Sequence, residues 1–332
     1  MDKYKQIDIL AIGDIATEPF IKISEAEAKC DKDNNHCKLC LNYGGKIPYE
    51  SAEICHAVGN SSNVAISASR LGLNSYLMTY IGDDNTGKEN IELLNKENVQ
   101  TNYITTIKGM KSNYHYVLWY GIERTILVKH TEFPYSFPAE IREPKWIYLS
   151  SLAQNSVTYH EEIGKYLKNH SDVLFAFQPG TFQIKLGIEV LKDIYTNTNL
   201  FLCNHEEAQK ILEVEEGEIP KLLKKIYDLG PKIVVITDGI NGAYSYDGNN
   251  ILFMKAFPCS TFESTGAGDA FSGAFLSALF LNKEISEAMI WGATNAMSAV
   301  SFVGPHKGLL TRNQIEEYIK NAPSDFKPIK IN

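Results

Sequence analysis

The chain has 332 residues, of which 44% are hydrophobic and 22% are charged, and its formal net charge is −8. This composition is typical of a globular protein and excludes a disordered, collagen-like or disulfide-scaffold chain. The excess of acidic residues argues against partners such as nucleic acid and anionic membranes, because both carry like charge. A phosphorylated substrate stays open, since local backbone amides can hold a phosphate.

We expect neither a membrane span nor a secretory signal. The longest apolar run, residues 274–281, is far shorter than the roughly 18 residues that cross a bilayer, and Ser277 interrupts it. The N-terminus lacks a basic region followed by a long apolar stretch. Six cysteines are too few for a secreted disulfide framework. The expected compartment is therefore a reducing cytoplasm.

Short apolar runs alternate with helical patterns along most of the chain. In chain order, the runs that predict strands are residues 7–12, 75–81, 147–150, 173–177, 200–203 and 233–237. The predicted helices are residues 60–70, 86–97, 159–168, 185–195, 206–212, 219–229, 267–281, 285–302 and 312–321. The alternation predicts an α/β fold of three layers, with helices on both faces of a mostly parallel central sheet.

Two regions interrupt this alternation. Residues 24–56 are polar and hold four of the six cysteines, and residues 102–130 contain successive strand patterns. The alternating side chains of residues 114–120 suit a sheet with one exposed face. We therefore expect one domain over residues 1–332, with a small β lid formed by residues 15–58 and 102–130.

The strongest chemical signal is the sequence ESTGAGDAFSGAF at residues 263–275. Gly266, Ala267 and Gly268 lead into a predicted helix, whose unpaired first amides and dipole form an anion site. A carboxylate in the first turn would weaken phosphate binding unless it has another purpose. The simplest purpose for Asp269 is to handle the hydroxyl that attacks the phosphorus. The alternative is an ordinary capped helix with an aspartate in its first turn.

The TGAGD sequence at residues 265–269 and the small, apolar helix after it resemble the signature of the ribokinase-like carbohydrate kinases, the PfkB family. Four further matches follow the family's order: VGNSSNVAISASRLG at 58–72, IGDDNTG at 81–87, Asn204 and Glu207 after a strand, and TDGINGA at 237–243. The resemblance covers nearly the whole chain. Several matches in the correct order are more specific than any one motif.

The resemblance implies ATP-dependent transfer of a phosphoryl group to a hydroxymethyl group of a sugar or a nucleoside. Asp269 takes the place of the family's catalytic base, and the amides of Gly266, Ala267 and Gly268 would stabilise charge on the transferred group. The pKa of an ordinary aspartate lies far below that of an alcohol. Asp269 would therefore orient the hydroxyl and accept its proton late in a loose transition state.

The resemblance also implies where ATP and Mg²⁺ bind. Asn204 and Glu207 offer oxygen ligands that suit Mg²⁺, through water because this ion dehydrates reluctantly. Thr237, Gly239 and Asn295 fall where the family contacts the nucleotide. Two alternatives remain open: Glu207 could be a first-turn carboxylate that satisfies the helix dipole, and Asn295 could be a polar residue between two helices.

For the acceptor, Gly59 and Asn63 match the family's sugar-contacting signature. An amide can donate and accept at once, which suits vicinal hydroxyls, although Asn63 could instead be a helix N-cap. The family usually has an aspartate where the first strand ends; Glu18 stands at that spacing, and Asp14 is a second candidate. This difference leaves the identity of the substrate open.

A monovalent cation is a further open question. The family often binds one near its anion hole with an aspartate, whose place is taken here by Glu263. The longer side chain could reach K⁺, or it could pair with Lys307 or His306.

The cysteines of the lid have spacing that suits zinc. Cys30, Cys37 and Cys40 follow the pattern C-x6-C-x2-C, and Cys55 comes later. Thiolates at such spacing can converge on one structural Zn²⁺, with His36 or His56 as substitutes, and a metal would help a polar segment to fold. The alternative is a set of thiols packed in the lid. The resemblance does not support the metal.

Three functions follow from these patterns. The first is a sugar kinase of ribokinase or fructokinase type, with a nucleoside kinase as the alternative, because lid aromatics such as Tyr114 and Trp119 could stack on a base or pack in the lid. The second is a non-catalytic sugar or nucleotide sensor, which would not need Asp269. The third is a zinc-dependent interaction surface that forms a homodimer through the lid.

Overall fold

The computed structural model describes residues 6–31, 37–121, 123–257 and 265–331. The strands are β1 (Ile9–Ile12), β2 (Ala16–Ile23), β3 (Glu27–Cys30), β4 (Cys37–Cys40), β5 (Tyr49–Val58), β6 (Ser75–Gly82), β7 (Gln100–Ile107), β8 (Asn113–Tyr114), β9 (Tyr116–Tyr120), β10 (Glu123–Leu127), β11 (Trp146–Leu149), β12 (Leu174–Phe177), β13 (Leu200–Asn204), β14 (Ile233–Thr237), β15 (Ala243–Tyr246), β16 (Ile251–Met254) and β17 (Ile329–Ile331). The helices are α1 (Asn60–Arg70), α2 (Asn85–Lys96), α3 (Val157–Asn169), α4 (Thr181–Leu186), α5 (Lys192–Thr196), α6 (His205–Ile211), α7 (Ile219–Tyr227), α8 (Ala267–Phe280), α9 (Ile285–Ala299) and α10 (Arg312–Asn321).

The central sheet of the described chain has ten strands in the order β17-β16-β15-β14-β13-β12-β11-β1-β6-β7. The strands from β14 to β7 run parallel, and β15, β16 and β17 add an antiparallel edge. Helices connect the parallel strands, as parallel pairing requires. The mostly parallel sheet predicted from the sequence is therefore confirmed.

Two hydrophobic cores lie on opposite faces of this sheet. Side chains alternate along a strand, so Ile9 and Ala11 of β1 face one core while Leu10 and Ile12 face the other. The first core packs against α1, α8, α9 and α10, and the second against α3, α5, α6 and α7. Burial on both faces explains why the strands read as continuous apolar runs. The three-layer prediction is also confirmed.

The lid is a second sheet of the described chain, in the order β10-β9-β2-β5, with β8 paired to β2. The hairpin of β3 and β4 extends from it as a separate two-stranded sheet. One prediction about the lid was wrong: the first strand of the 102–130 segment, β7, pairs in parallel with β6 in the central sheet. The helix α2 between them supplies the crossover that a parallel pair needs.

One predicted helix is broken. Residues 185–195 form the end of α4 and part of α5, because the chain turns at Gly187, whose φ is 82°. Glycine adopts this left-handed conformation without a steric cost.

Polar residues follow the parallel strands at the edge where the strands end. Asp14 comes after β1, Gln178 after β12, and Asn204 and Thr237 close β13 and β14. The lid begins at this edge, since β2 starts directly after β1. Ligands of open α/β sheets bind at the carboxyl ends of the strands. Within the described residues, no helix is both long and apolar enough to cross a membrane.

Candidate active site

The N-terminus of α8 has the geometry of an anion site. Gly266 precedes the helix with a φ of 78°, and a side chain there would collide with Pro305. Among the described residues no side chain caps this helix, and the amides of its first turn have no acceptor inside the helix. The space beside Gly268 is open for at least 4 Å around an added Cβ. The alternative of an ordinary side-chain cap is therefore not supported.

Asp269, in the first turn of α8, has a buried carboxylate that three side-chain amides hold. Its Oδ1 accepts from Asn60 Nδ2 at 2.7 Å and from Gln178 Nε2 at 3.0 Å. Its Oδ2 accepts from Asn63 Nδ2 at 2.7 Å. Burial raises the pKa of Asp269 above its ordinary value, although these donors and the Arg124 guanidinium favour the charged form. The raised pKa makes this carboxylate a better proton acceptor than an exposed aspartate.

Asn63 is itself oriented by His306. The Oδ1 atom of Asn63 accepts from His306 Nε2 at 2.8 Å, so the proton of the neutral ring lies on Nε2. Burial, with help from the Arg70 charge, lowers the pKa of His306 to about 4. The ring therefore stays neutral near pH 7. Asn63 does not cap α1, which begins at Asn60 after Gly59, so that alternative was wrong.

Gln178 is fixed from its other end. Its Oε1 accepts from Tyr148 Oη at 3.0 Å and from Ser272 Oγ at 2.6 Å. This leaves Nε2 pointing at Asp269. Neither Gln178 nor Asn60 was among the residues predicted from the sequence. The position of Gln178 directly after a predicted buried strand, like that of Asn204, is the signal that could have found it.

A cavity of about 340 Å³ lies next to the start of α8. Its wall includes Ala267 and Gly268, and also Thr237 and Gly239, two of the predicted nucleotide contacts. The rest of the lining is mainly apolar and includes Met254, Phe257, Phe271, Ala293, Met297 and Val300. The cavity therefore suits a flat apolar group that continues into an anion at the helix N-terminus.

The third predicted nucleotide contact, Asn295, was wrong. Its side chain is fully buried. Its Nδ2 donates to Ser67 Oγ at 3.1 Å and to Ala270 O at 2.8 Å, and its Oδ1 accepts from Leu310 N at 2.9 Å. The amide is thus used to join α1, α8 and the segment before α10. The alternative of a polar residue between helices is the one observed.

Asn204 and Glu207 form a capping box at the start of α6. Asn204 Oδ1 accepts from Glu207 N, and Glu207 Oε2 accepts from Asn204 N, both at 2.8 Å. Burial raises the pKa of Glu207, and the nearby Asp269 charge adds to this. The alternative role of Glu207, that of a carboxylate in the first turn of a helix, is therefore observed. One oxygen of each side chain is used in the cap, which leaves Glu207 Oε1 for another ligand.

The predicted acceptor residues lie where β1 ends and the lid begins. Asp14 and Glu18 are both buried. Asp14 Oδ2 accepts from Tyr135 Oη at 2.7 Å and from Ala153 N at 2.9 Å. Burial, with the Asp14 charge, raises the pKa of Tyr135, which keeps its proton on the phenol. A side chain at Gly59 would collide with the Asp14 carbonyl, so glycine lets the start of α1 lie against this edge.

The four-thiolate zinc site does not form in this structure. Cys30 and Cys37 face each other across β3 and β4 and are joined by a disulfide. The Sγ atom of Cys40 contacts Lys38 O at 3.8 Å, while Cys55 lies beside Gly304. The described residues contain no group of three His, Cys, Asp or Glu side chains that could hold a metal ion. The zinc prediction was wrong because the hairpin register pairs two of the thiolates with each other.

Glu263 and His36 lie outside the described residues. The two candidate partners of Glu263 have other contacts: Lys307 forms an ion pair with Glu53 at 2.5 Å, and His306 donates to Asn63.

Comparisons with known proteins agree with this geometry. Residues 28–312 match the pfkB family carbohydrate kinase. The chain is 25% identical to the ribokinase of Bacillus subtilis over 269 residues, which are 79% of this chain and 87% of the relative. It is also 25% identical to an ATP-dependent 6-phosphofructokinase of Thermoanaerobacterium thermosaccharolyticum over 274 residues, 74% of this chain and 79% of the relative.

Solved structures have the same fold. Arabidopsis thaliana ribokinase, complexed with ribose and ATP, aligns with a TM-score of 0.79 at 17% identity and covers 95% of this chain and 99% of its own. The Methanocaldococcus jannaschii nucleoside kinase aligns with a TM-score of 0.74 at 17% identity, covering 96% and 99%. The family match spans most of the chain, as the sequence resemblance predicted. The protein is thus a kinase and belongs to the pfkB family of carbohydrate kinases.

Proposed function

We propose that this kinase transfers the terminal phosphoryl group of ATP to a hydroxymethyl group of a sugar, with Asp269 as the proton acceptor. The observation that carries the proposal is the Asp269 carboxylate, which is buried, held by three amides and placed in the first turn of α8, at its open N-terminus. A proton acceptor and an anion site are thus side by side. Together they are the two groups that phosphoryl transfer to an alcohol requires.

The chain supplies orientation and charge. Asn60, Asn63 and Gln178 keep the carboxylate in one position, so it can orient the attacking hydroxyl without reorganisation. As the bond between the γ-phosphorus and the sugar oxygen forms, the bond from the γ-phosphorus to the β–γ bridging oxygen breaks and ADP leaves, and the proton of the hydroxyl moves to Asp269. The backbone amides of residues 266–268 stabilise the negative charge on the phosphoryl oxygens.

The cavity beside α8 supports ATP as the donor, because its apolar wall suits adenine and its lining includes Ala267 and Gly268 at the start of α8. Mg²⁺ supplies charge neutralisation between the phosphates when it is bound. Asn204 and the unused oxygen of Glu207 are the residues that would hold it, through water. With ATP as the donor, a cytoplasmic location is part of the proposal.

The packing of the lid aromatics favours a sugar over a nucleoside as the phosphoryl acceptor. Tyr114 and Tyr116 pack against each other with ring centroids 5.3 Å apart, and the Trp119 ring lies under Lys22. These aromatics are therefore occupied within the lid rather than forming two parallel walls for a base. The relatives named ribokinase and 6-phosphofructokinase also act on sugars by their names.

We also propose a homodimer formed through the lid. Several apolar side chains on the lid strands are exposed, among them Tyr49 at 61%, Ile54 at 55% and Leu127 at 52%. Exposed apolar patches mark protein interaction surfaces. Sizing of the purified protein tests this, and a monomer at micromolar concentration contradicts it.

ADP release with a panel of sugars and nucleosides tests the reaction. We expect a sugar to stimulate release in the wild type and Asp269→Asn to abolish the stimulation. Stimulation by nucleosides alone would establish the alternative acceptor. Ligand binding without turnover would establish a sensor, and an equally active Asp269→Asn variant would remove the proposed base.

A further inference from the structure

Where β1 ends and the lid begins, four titratable side chains lie together. These side chains, which we term the mouth cluster, are Asp14, Glu18, His115 and His130. The rings of His115 and His130 are 5.1 Å apart, His130 Nδ1 is 3.6 Å from Asp14 Oδ2, and His115 Nδ1 is 3.0 Å from Glu18 Oε1. Neither histidine was selected from the sequence, because nothing in the chain around them indicates chemistry.

The mouth cluster contains buried polar atoms with no partner inside the described chain. They are Asp14 Oδ1, His115 Nε2 and His130 Nδ1. Asp14 is 5% exposed and His115 is 8% exposed, so both side chains are more than nine-tenths buried. An unpartnered buried polar atom is costly, and such atoms in a native fold need an explanation. A bound ligand that completes these hydrogen bonds is one.

The chemistry of the atoms indicates which ligand. A carboxylate only accepts, so the His115 Nδ1–H donates to Glu18, and when the ring carries this single proton its Nε2 is left as an acceptor. Asp14 Oδ1 is also an acceptor. Two acceptors call for a ligand that donates, as sugar hydroxyls do. The carboxylates of Asp14 and Glu18 would repel a phosphate or carboxylate placed among them.

The turn at Gly59 and Asn60 connects the mouth cluster to the Asp269 carboxylate. Gly59 packs against the Asp14 carbonyl, and the next residue, Asn60, donates to Asp269. The cluster and the Asp269 carboxylate are thus on two sides of a single turn. We therefore consider the cluster as a place for other hydroxyls of the molecule that has one hydroxyl at Asp269.

We propose that His115 and His130 are specificity-determining residues of the acceptor site: they lie against Asp14 and Glu18, where the resemblance already places the sugar, and they select its uncharged, polyhydroxylated end. This inference rests on the proposed sugar kinase function and deepens it. His115 has two tasks: it holds Glu18 through Nδ1 and accepts a sugar hydroxyl through Nε2. His130 contacts the hydroxyl next to it.

The variant His115→Asn separates the contact with Glu18 from the contact with the sugar hydroxyl. The asparagine amide reaches the position of Nδ1 and keeps the contact with Glu18, but it removes Nε2. We expect the KM for the best neutral sugar to rise roughly tenfold, equivalent to about 1.4 kcal/mol. The kcat and the KM for ATP stay within about threefold of wild type. The matched control is His170→Asn, since His170 Nδ1 bonds only to the Tyr166 carbonyl of its own helix, and it leaves every constant unchanged.

Deoxy sugars test the same contact in the wild type, with no risk of misfolding. Removing the hydroxyl that binds the cluster weakens binding roughly tenfold in the wild type and has no further effect in His115→Asn. Binding is measured by calorimetry without ATP, and turnover is measured separately. A neutral sugar that binds without turnover supports the mouth cluster and contradicts the kinase reaction. Turnover with unchanged binding in both histidine variants, His115→Asn and His130→Asn, keeps the reaction and overturns the cluster.

Anionic sugars complete the test. We expect sugar phosphates and sugar acids to bind at least tenfold more weakly than the neutral sugar. Arg124 is the cation of the lid whose charge reaches Asp269. Preference for an anionic sugar that is lost in Arg124→Gln would overturn the proposal of an uncharged ligand.

Discussion

Two polar groups flank the turn at Gly59 and Asn60, and they are built in opposite ways. The first, the carboxylate network, consists of Asp269, Asn60, Asn63, Gln178 and His306. The second is the mouth cluster. None of the buried, unpartnered side-chain atoms of the described chain belongs to the carboxylate network, whereas three belong to the mouth cluster.

The difference suits the two groups to different roles: the carboxylate network to the chemical step, and the mouth cluster to recognition of the ligand. A network that satisfies itself keeps a reacting group in one position before any ligand arrives, which is the condition for electrostatic preorganisation. A cluster with unpartnered atoms is completed only when a ligand binds, so its hydrogen bonds contribute to affinity and selectivity. Changes in the first group should therefore lower kcat, and changes in the second should raise the KM for the acceptor.

The largest expected effect is that of Asp269→Asn. We expect kcat to fall by about 10²–10⁴, because a positioned proton acceptor contributes that factor. The KM for sugar changes little, since the cluster is untouched. Steady-state ADP release measures both constants, and thermal unfolding of the variant checks the fold. A rise in the KM for sugar with an unchanged kcat would show that Asp269 acts in binding, as the mouth cluster does, and would contradict the comparison.

A smaller effect is expected for Asn63→Leu. Without the amide, Asp269 Oδ2 and His306 Nε2 lose their partner, so the free energy of unfolding falls by about 1–3 kcal/mol. The carboxylate is then less well fixed, and we expect kcat to fall by about ten- to a hundredfold. Denaturant unfolding and steady-state kinetics measure the two effects.

Asn295→Leu is the matched control for this variant. It removes another buried amide that joins α8 to neighbouring elements, with a similar loss of stability, but it leaves Asp269 untouched. We expect kcat and the KM for ATP to remain near wild type. A large increase in the KM for ATP would restore Asn295 as a nucleotide contact and contradict its role between the helices.

The next prediction concerns Arg70, which lies outside the carboxylate network but holds the segment that carries His306. Arg70 bonds to both oxygens of Glu97 and donates to the carbonyls of His306 and Leu309. Arg70→Met removes the ion pair and releases the segment that carries His306. We expect the free energy of unfolding to fall by about 2–3 kcal/mol, somewhat less than for a fully buried pair. We expect kcat to fall less than fivefold; a loss as large as that of Asn63→Leu would show that His306, rather than Asn63, fixes the carboxylate.

The prediction with the smallest expected effect on kcat concerns the pH dependence of stability. The pKa of His306 and that of His160 fall from 6.5 to about 4 on folding, mainly by burial. Between these values the unfolded chain binds more protons than the folded one, so stability is complete above about pH 6.5 and decreases as the pH falls. Each histidine contributes up to about 1.4 kcal/mol per pH unit.

The variant His306→Gln sharpens this prediction, because glutamine can still donate to Asn63 but does not titrate. We expect its stability to depend about half as steeply on pH between 6.5 and 5 as that of the wild type, measured by urea unfolding. An unchanged slope would mean that His306 is not held neutral, and would remove the tautomer that orients Asn63.

The sequence by itself determined the layers of the fold and the residue at the centre of the site. Apolar runs buried on both faces of a parallel sheet are readable without a structure, because burial fixes residue type locally. The glycines of residues 265–269 were likewise predictable, since a helix start is a local feature, whereas the selection of Thr237 and Gly239, which line the cavity, followed from the family resemblance. Asp269 followed from its place in the first turn of α8.

Only the tertiary structure decided what surrounds that residue. Asn60, Asn63 and Gln178 are separated from Asp269 by 209, 206 and 91 positions, so no local pattern can pair them. The same reason explains the wrong predictions. Asn295 faces a helix interface instead of the cavity, and the lid cysteines follow a hairpin register instead of converging on a metal. Side-chain direction at long sequence separation depends on how whole elements pack, and that is settled by the global fold rather than by neighbouring residues.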